Sequence, residues 1–189
     1  MIIGICGAAG AGKDTAALRL RDHGFFRVAF ADPIYDMIAA MTGMTVEELS
    51  DRDRKEQEIP WLGKSPRQLL QSLGTEWGRQ HVSEDVWVRI ALRTARIARL
   101  SVIPDVRFDN EAKAVRAAGG SVWRVVRPGV SCLDASSARH SSERGISPEL
   151  IDELILNDGS LESLKGRVDA ALQKATARYN GGMHASCGH

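Results

Sequence analysis

The sequence predicts an α/β fold, a five-stranded parallel sheet with helices on both faces. Three observations predict it. Short apolar runs of strand length alternate with longer stretches of helical period, the pattern of strands joined by crossover helices. The first apolar run, Met1–Cys6 (MIIGIC), leads straight into the glycine-rich stretch GAAGAGKDT and then into a helical pattern. No internal repeat and no clear linker divides the 189 residues, a length suited to one well-packed domain with a small lid.

Met1–Cys6 is apolar throughout, which suits a strand buried on both faces. The helix after the glycine stretch runs to about Asp22 and stops near Gly24. Phe26–Phe30 (FRVAF) reads as the second strand. Asp32 and Pro33 look like an N-cap followed by proline at the first helical position, opening the helix PIYDMIAAM. Residues 42–64 are polar and charged, broken by Pro60 and Gly63. Ser65, Pro66 and Gln68 form a capping box, and Leu69, Leu70, Leu73 and Trp77 follow at helical spacing, toward the core. A helix from about Glu84 to Arg99 carries Arg89, Arg93, Arg96 and Arg99, most simply a solvated face. Leu100–Val106 is the third strand, with Pro104 placed where pairing ends. Asp109–Ala118 is a helix closed by Gly119 and Gly120, Ser121–Arg127 the fourth strand, and Glu153–Asn157 the fifth. Residues 128–147 are rich in Ser, Gly and Arg and read as a lid. The last helix spans about Ser160 to Arg178, with Leu161, Leu164, Val168, Leu172 and Ala175 on one face. The expected organisation is therefore one domain over 1–178 and a flexible tail over 179–189.

Composition narrows the function classes. The net charge is +1, so a protein that coats nucleic acid is not expected. Three widely spaced cysteines, Cys6, Cys132 and Cys187, without a CxxC pair, suit free thiols in a reducing compartment. Cys6 reads as a small core residue. His184, Cys187 and His189 sit in the glycine-rich tail. No segment is long and apolar enough to span a membrane, and the N-terminus reads as a strand rather than a signal peptide. A cytoplasmic protein is expected.

The stretch from Gly7 to Lys13 (GAAGAGK) has the G-x-x-x-x-G-K spacing of a phosphate-binding loop. Such a loop points backbone N–H groups inward, so side chains must be small or absent; Ala9, Gly10, Ala11 and Gly12 satisfy this. The following helix adds its own free N–H groups and dipole. Lys13 supplies a mobile positive charge for the β- and γ-phosphates. The next residue is Asp14 rather than the usual Ser or Thr, and Thr15 follows. Magnesium need not then be held directly by the loop; Asp14 and Asp105 would organise it through water, and Thr15 would donate to phosphate.

Phosphoryl transfer to a small phosphate-bearing acceptor needs a second anion pocket. Arg67, Gln71, Gly74 and Gly78 share one helical face by their spacing. Each interior glycine costs about 1 kcal/mol relative to alanine, so something approaches that face closely, either another helix or a flat ligand such as a nucleobase. Arg67 at the helix start suits an anion, and Arg79 would help from its end. Asp105 and Arg107 stand at the carboxyl end of the third strand, where open α/β sheets bind ligands. In the lid, Arg139 and Arg144 would close over the γ-phosphate and exclude water.

Taken together, GAAGAGKDT, FADPI, SPRQLLQSLGTEWGR, IPDVRFDNEAKAVRAAGGSVWRVVRP, RHSSE and LNDGSLESL resemble the deoxynucleoside monophosphate kinases of bacteriophages, within the nucleoside monophosphate kinase group of P-loop proteins. The resemblance runs from Met1 to about Leu172. It implies an acceptor region over about 32–80, a lid over about 128–147, and transfer of the ATP γ-phosphate to a deoxynucleoside 5′-monophosphate, with Mg2+ accompanying ATP. It implies no stable nucleic-acid partner, and homodimers are common in the group. Asp14 after the lysine resembles a subtype marker of the group, and Asn157 resembles a position near the ATP adenine. Asp32 would touch the acceptor. After FADP the family often carries Leu-Lys; here Ile34 and Tyr35 stand instead, so Tyr35 would stack on a base. Trp77 beside the glycine face favours a flat acceptor. Dephospho-coenzyme A kinase and phosphomevalonate kinase share the sheet and loop and are the alternatives of the same class. A regulatory module that binds ATP without turnover is the alternative of another class.

Overall fold

The structure is a computed structural model that describes residues 1–130 and 145–185, with side chains through Tyr179. The expected lid residues Arg139 and Arg144, and with them Cys132, Cys187 and His189, lie outside the described residues. The chain forms two compact units, Met1–Val28 with Thr94–His189, and Ala29–Arg93.

The first unit holds a five-stranded parallel sheet of order β2-β3-β1-β4-β5: β1 Ile2–Cys6, β2 Phe26–Arg27, β3 Ser101–Ile103, β4 Ser121–Val126 and β5 Glu153–Leu156. The apolar β1 is central, buried at every residue, with Ile3 opposite Val102 on one side and Ile5 opposite Trp123 on the other. One face of the sheet is covered by α1 (Lys13–Asp22) and α7 (Leu161–Ala185). Ile3, Ile5, Trp123, Val125 and Ile155 meet Ala16, Leu20, Leu164 and Val168 there. α6 (Asp109–Ala117) packs on β1 and β4. Arg19 of α1 and Asp169 of α7 form a two-bonded ion pair at 2.8 Å, and His23 adds a contact to the same carboxylate at 2.8 Å. Among the described residues, no helix is long and apolar enough to cross a membrane.

The second unit is helical. α2 (Asp32–Thr42) packs against α3 (Val46–Ser50) and α4 (Pro66–Gln71). α4 continues as a π-helix over Ser72–Val82, and α5 (Val86–Ile97) begins in this unit. Ser65 caps α4 as its sequence predicts: its hydroxyl accepts from the Gln68 N–H, and the Gln68 side chain accepts from the Ser65 N–H. α5 buries Trp87, Val88, Ala91, Leu92 and Ala95 and exposes Arg89, Arg93 and Arg96, an amphipathic helix with a solvated basic face.

Several boundaries differ from the sequence reading for local reasons. The second strand stops at Arg27: the Val28 N–H still reaches Val102 O, but the Ala29 N–H turns to the Asp32 carboxylate at 2.7 Å. Asp32 is therefore not the N-cap of α2. Ala31 occupies that position, and Asp32 reaches back from the first turn to close the loop before it. The polar stretch 42–64 contains α3, opened by a second capping box between Thr45 and Glu48. The third strand ends at Ile103 because Pro104 has no N–H to pair. α7 continues through Ala185, past the expected end at Arg178.

Candidate active site

The glycine stretch lies at the carboxyl end of the central strand, between β3 and β4, where the direction of the strand connections reverses. Two glycines are compelled by geometry. Gly7 has φ 141°, and a Cβ there would sit 2.3 Å from Val125 O. Gly12, the N-cap of α1, has φ 104°, and a Cβ would sit 2.6 Å from Asn157 Nδ2. Gly12 offers no side-chain cap, so the first-turn N–H groups of α1 point to the loop unsatisfied by any side chain of the cap. Ala11 is buried beneath the loop, while Ala9 and Gly10 are exposed on it.

Lys13 is the first residue of α1, and its ammonium donates to Ala8 O at 2.7 Å, folded back over the loop. Asp14 follows on the first turn, exposed, and Thr15 is half-buried. Asn157 comes from the end of β5. Its backbone N–H donates to Val126 O at 2.6 Å, and its Nδ2 donates to Ala11 O at 2.9 Å. The side chain braces the loop from below and is the immediate neighbour of Gly12.

Beside the loop, the chain leaving β3 returns to β1: the Val106 N–H donates to Ile5 O at 3.2 Å. That bond holds Asp105, half-buried, and Arg107, exposed, at the carboxyl end of the sheet. A residue missed in the sequence secures this turn. Glu111, only 1% exposed, accepts from the N–H groups of Arg107 at 2.6 Å and Phe108 at 3.1 Å. The signal was half a capping box, a Glu three residues into a helix whose N-cap, Phe108, has no hydroxyl. Two residues earlier in the same turn, Asp109 accepts from the Ser147 hydroxyl at 2.6 Å and N–H at 2.9 Å, and these two bonds hold its carboxyl below the usual carboxylate range.

The remaining expected residues lie in the second unit. Tyr35, on α2, accepts a hydrogen bond at 2.9 Å from Lys55, a residue the sequence reading did not single out. The Arg67 N–H donates to Lys55 O at 3.0 Å, and the Arg67 side chain pairs with Glu56. The backbone donors at the start of α4 are thus taken by protein acceptors, Lys55 O and the Ser65 hydroxyl. Anion contacts there fall to side chains alone.

The glycine face of the α4 and π-helix segment is filled by a side chain. Trp87 donates from Nε1 to Gly74 O at 2.7 Å, and a Cβ on Gly78 would sit 2.3 Å from its indole. On Gly74 a Cβ would meet Ile34 at 3.0 Å. The close approach inferred from the two glycines is that of a neighbouring helix, not an opening for a flat ligand. The π-turn also shifts the side-chain register, because its hydrogen bonds span five residues rather than four; the Ser83 N–H to Gly78 O bond shows that spacing. Trp77 therefore turns outward, 46% exposed, with its ring tilted 44° to that of Trp87 at 6.5 Å. Leu69 is buried as expected, while Leu70 and Leu73 are half-buried. Arg79 donates to Glu84 O at 3.3 Å.

A family model described as deoxynucleotide monophosphate kinase matches residues 45–168. The chain is 29% identical to a putative deoxynucleotide monophosphate kinase of Acanthamoeba polyphaga mimivirus, over 93% of this chain and 98% of that protein. It is 26% identical to the deoxynucleoside-5′-monophosphate kinase of Escherichia phage T5, over 83% of this chain and 89% of that protein. Among solved structures, dephospho-CoA kinase from Campylobacter jejuni superposes with a TM-score of 0.51 at 16% identity, covering 92% of this chain and 96% of that one, a likeness of fold.

Proposed function

The chain belongs to the deoxynucleotide monophosphate kinase family, and we propose that it transfers the γ-phosphate of ATP to a deoxynucleoside 5′-monophosphate through the residues described above. The observation that carries this reading is the phosphate loop at the carboxyl end of β1, with Lys13 folded over it and Asn157 beneath it. Ala9, Gly10 and Gly12 offer backbone donors to the ATP phosphates, and the Ala11 N–H would exchange Ala8 O, which it meets at 3.2 Å, for a phosphate oxygen. Lys13 exchanges Ala8 O for the β- and γ-phosphate oxygens. Thr15 donates to phosphate from the first turn of α1. Arg107 meets the transferring group or the acceptor phosphate, and Arg139 and Arg144 gather over the γ-phosphate. In the second unit, Arg67 contributes to the acceptor pocket, with Asp32, Tyr35, Trp77 and Arg79 as its further residues. No general base is required, because a phosphate monoester has its second pKa near 6 and is an anion at neutral pH.

Magnesium fits the donor set. Among the described residues, no three His, Cys, Asp or Glu side chains meet as a cage. Mg2+ commonly keeps several waters and is held by one or two carboxylates with substrate phosphates. Asp14 and Asp105 would serve as those carboxylates. When bound, the ion neutralises charge developing on the phosphates.

The test is ADP release from ATP with magnesium and a panel of acceptors: the four common deoxynucleoside monophosphates, their ribose forms, phosphomevalonate and dephospho-coenzyme A. Turnover on deoxynucleotides is expected, and Lys13→Ala should lower kcat by about 100-fold or more. Activity confined to a non-nucleotide acceptor, or normal turnover by Lys13→Ala, would overturn the reading.

A further inference from the structure

Lys55 lies in a segment whose composition suggests only a polar loop, yet its backbone is fastened on both sides. Its N–H donates to Asp51 O at 2.9 Å, and its carbonyl accepts from Arg67 N–H at 3.0 Å. The half-buried side chain runs to Tyr35: Nζ donates to the phenol oxygen at 2.9 Å and sits 5.5 Å from the ring centroid. Among the described residues, no carboxylate pairs with this ammonium. Glu56 pairs with Arg67, and Asp51 accepts the N–H groups of Asp53 and Arg54. The ammonium is thus held in place by Tyr35 with its charge left for a ligand to meet.

The hydrogen-bond inventory says what kind of ligand. The phenol oxygen is occupied as an acceptor by Lys55, so the Tyr35 O–H is left to donate. Lys55 keeps two further N–H groups. The pair presents donors and a positive charge, and no strong acceptor. Its complement is an acceptor-only anion, and a phosphate monoester is that group.

We infer that Lys55 and Tyr35 together bind the 5′-phosphate of the acceptor nucleotide, with Lys55 supplying the charge and Tyr35 a second donor. This rests on the kinase reading above and adds to it a residue from outside the recognised motifs. It also changes the expected part of Tyr35, from a stacking ring to a hydroxyl donor beside the ammonium.

Steady-state kinetics of Lys55→Met, Lys55→Arg and Tyr35→Phe against each of the four deoxynucleoside monophosphates provide the test, with thermal melts as a folding control. A charge-assisted hydrogen bond to phosphate predicts that Lys55→Met raises the acceptor KM by about 10- to 100-fold. The KM for ATP should stay within about twofold. The rise should be equal for all four bases, because the phosphate is common to them. Tyr35→Phe should give a smaller rise with the same base independence, and Lys55→Arg should recover part of the loss. An unchanged acceptor KM in Lys55→Met, or a loss confined to bases bearing a keto oxygen at the pairing edge, overturns the assignment while leaving the kinase reading intact. Absence of wild-type turnover on every deoxynucleotide overturns the kinase reading, and the assignment falls with it.

Discussion

Replacing Gly78 by alanine should destabilise the protein, although alanine is the better helix former. A Cβ at this position would lie 2.3 Å from Cζ2, 2.7 Å from Cε2 and 2.8 Å from Nε1 of Trp87. Comfortable carbon contacts begin at about 3.5 Å, so the indole must retreat by roughly an ångström. It has little room, being only 3% exposed, and its N–H is committed to Gly74 O at 2.7 Å. A shift of that size takes the hydrogen bond beyond its working range. Overpacking a core costs about 1–3 kcal/mol, and a buried donor left without its acceptor about 1–3 kcal/mol. The helical preference of alanine returns about 1 kcal/mol. The net expectation is a loss of about 3 kcal/mol, which for a chain of this length lowers Tm by about 6–12 °C. Differential scanning calorimetry reads this directly. A double-mutant cycle with Trp87→Phe isolates the cause: a smaller ring without an N–H should reduce the cost of Gly78→Ala to about 1 kcal/mol or less. If Gly78→Ala melts like the parent and instead raises only the acceptor KM, the glycine faces a ligand and the packing argument is wrong.

Two further expectations follow from the first unit. Glu111→Ala leaves the N–H groups of Arg107 and Phe108 without their buried acceptor and should cost about 2–4 kcal/mol. Its kcat should fall as the Asp105–Arg107 turn loosens, whereas Glu111→Gln, which keeps a carbonyl oxygen, should retain most activity; equal loss in both variants would point to the charge rather than the acceptor. Asp169 has its carboxyl lowered to about 2, first by the hydrogen bonds from Arg19, then with help from His23 against the opposing cost of burial. A lowered carboxylate pKa stabilises the fold above its unfolded value, and that stability is lost as pH falls from about 4 toward about 2. Because the side chain is 30% exposed, screening reduces the neutral-pH cost of Asp169→Asn to about 1 kcal/mol, or about 2–4 °C in Tm. The gap between variant and parent should close near the acid end in melts recorded as a function of pH; a gap that persists there would remove the ion pair as its cause.

The phosphate loop was legible because its requirements are local. A strand, a turn free of bulky side chains, a lysine and a helix start follow one another along the chain, and each shows in residue type and spacing. Ser65 with Gln68 was legible for the same reason: a capping box closes within four residues. The alternation of apolar runs and helical periods sufficed for a parallel α/β sheet. Asp32 was misplaced by one position, because proline after aspartate suits a cap equally well in either register and only the Ala29 N–H decides between them.

What the sequence by itself determined was the class of fold and the chemistry of the loop, both set by short-range order along the chain. Tertiary structure decided what meets those local pieces. It set the strand order that brings Asp105 and Asn157 to the loop from positions far along the chain. It placed the Trp87 indole in the hollow left by Gly78, and Lys55 on Tyr35 from twenty residues away. It also introduced the π-turn that carries Trp77 out of the core. Such pairings depend on packing and on the competition for backbone hydrogen bonds, and neither has a period or spacing that can be read from one chain.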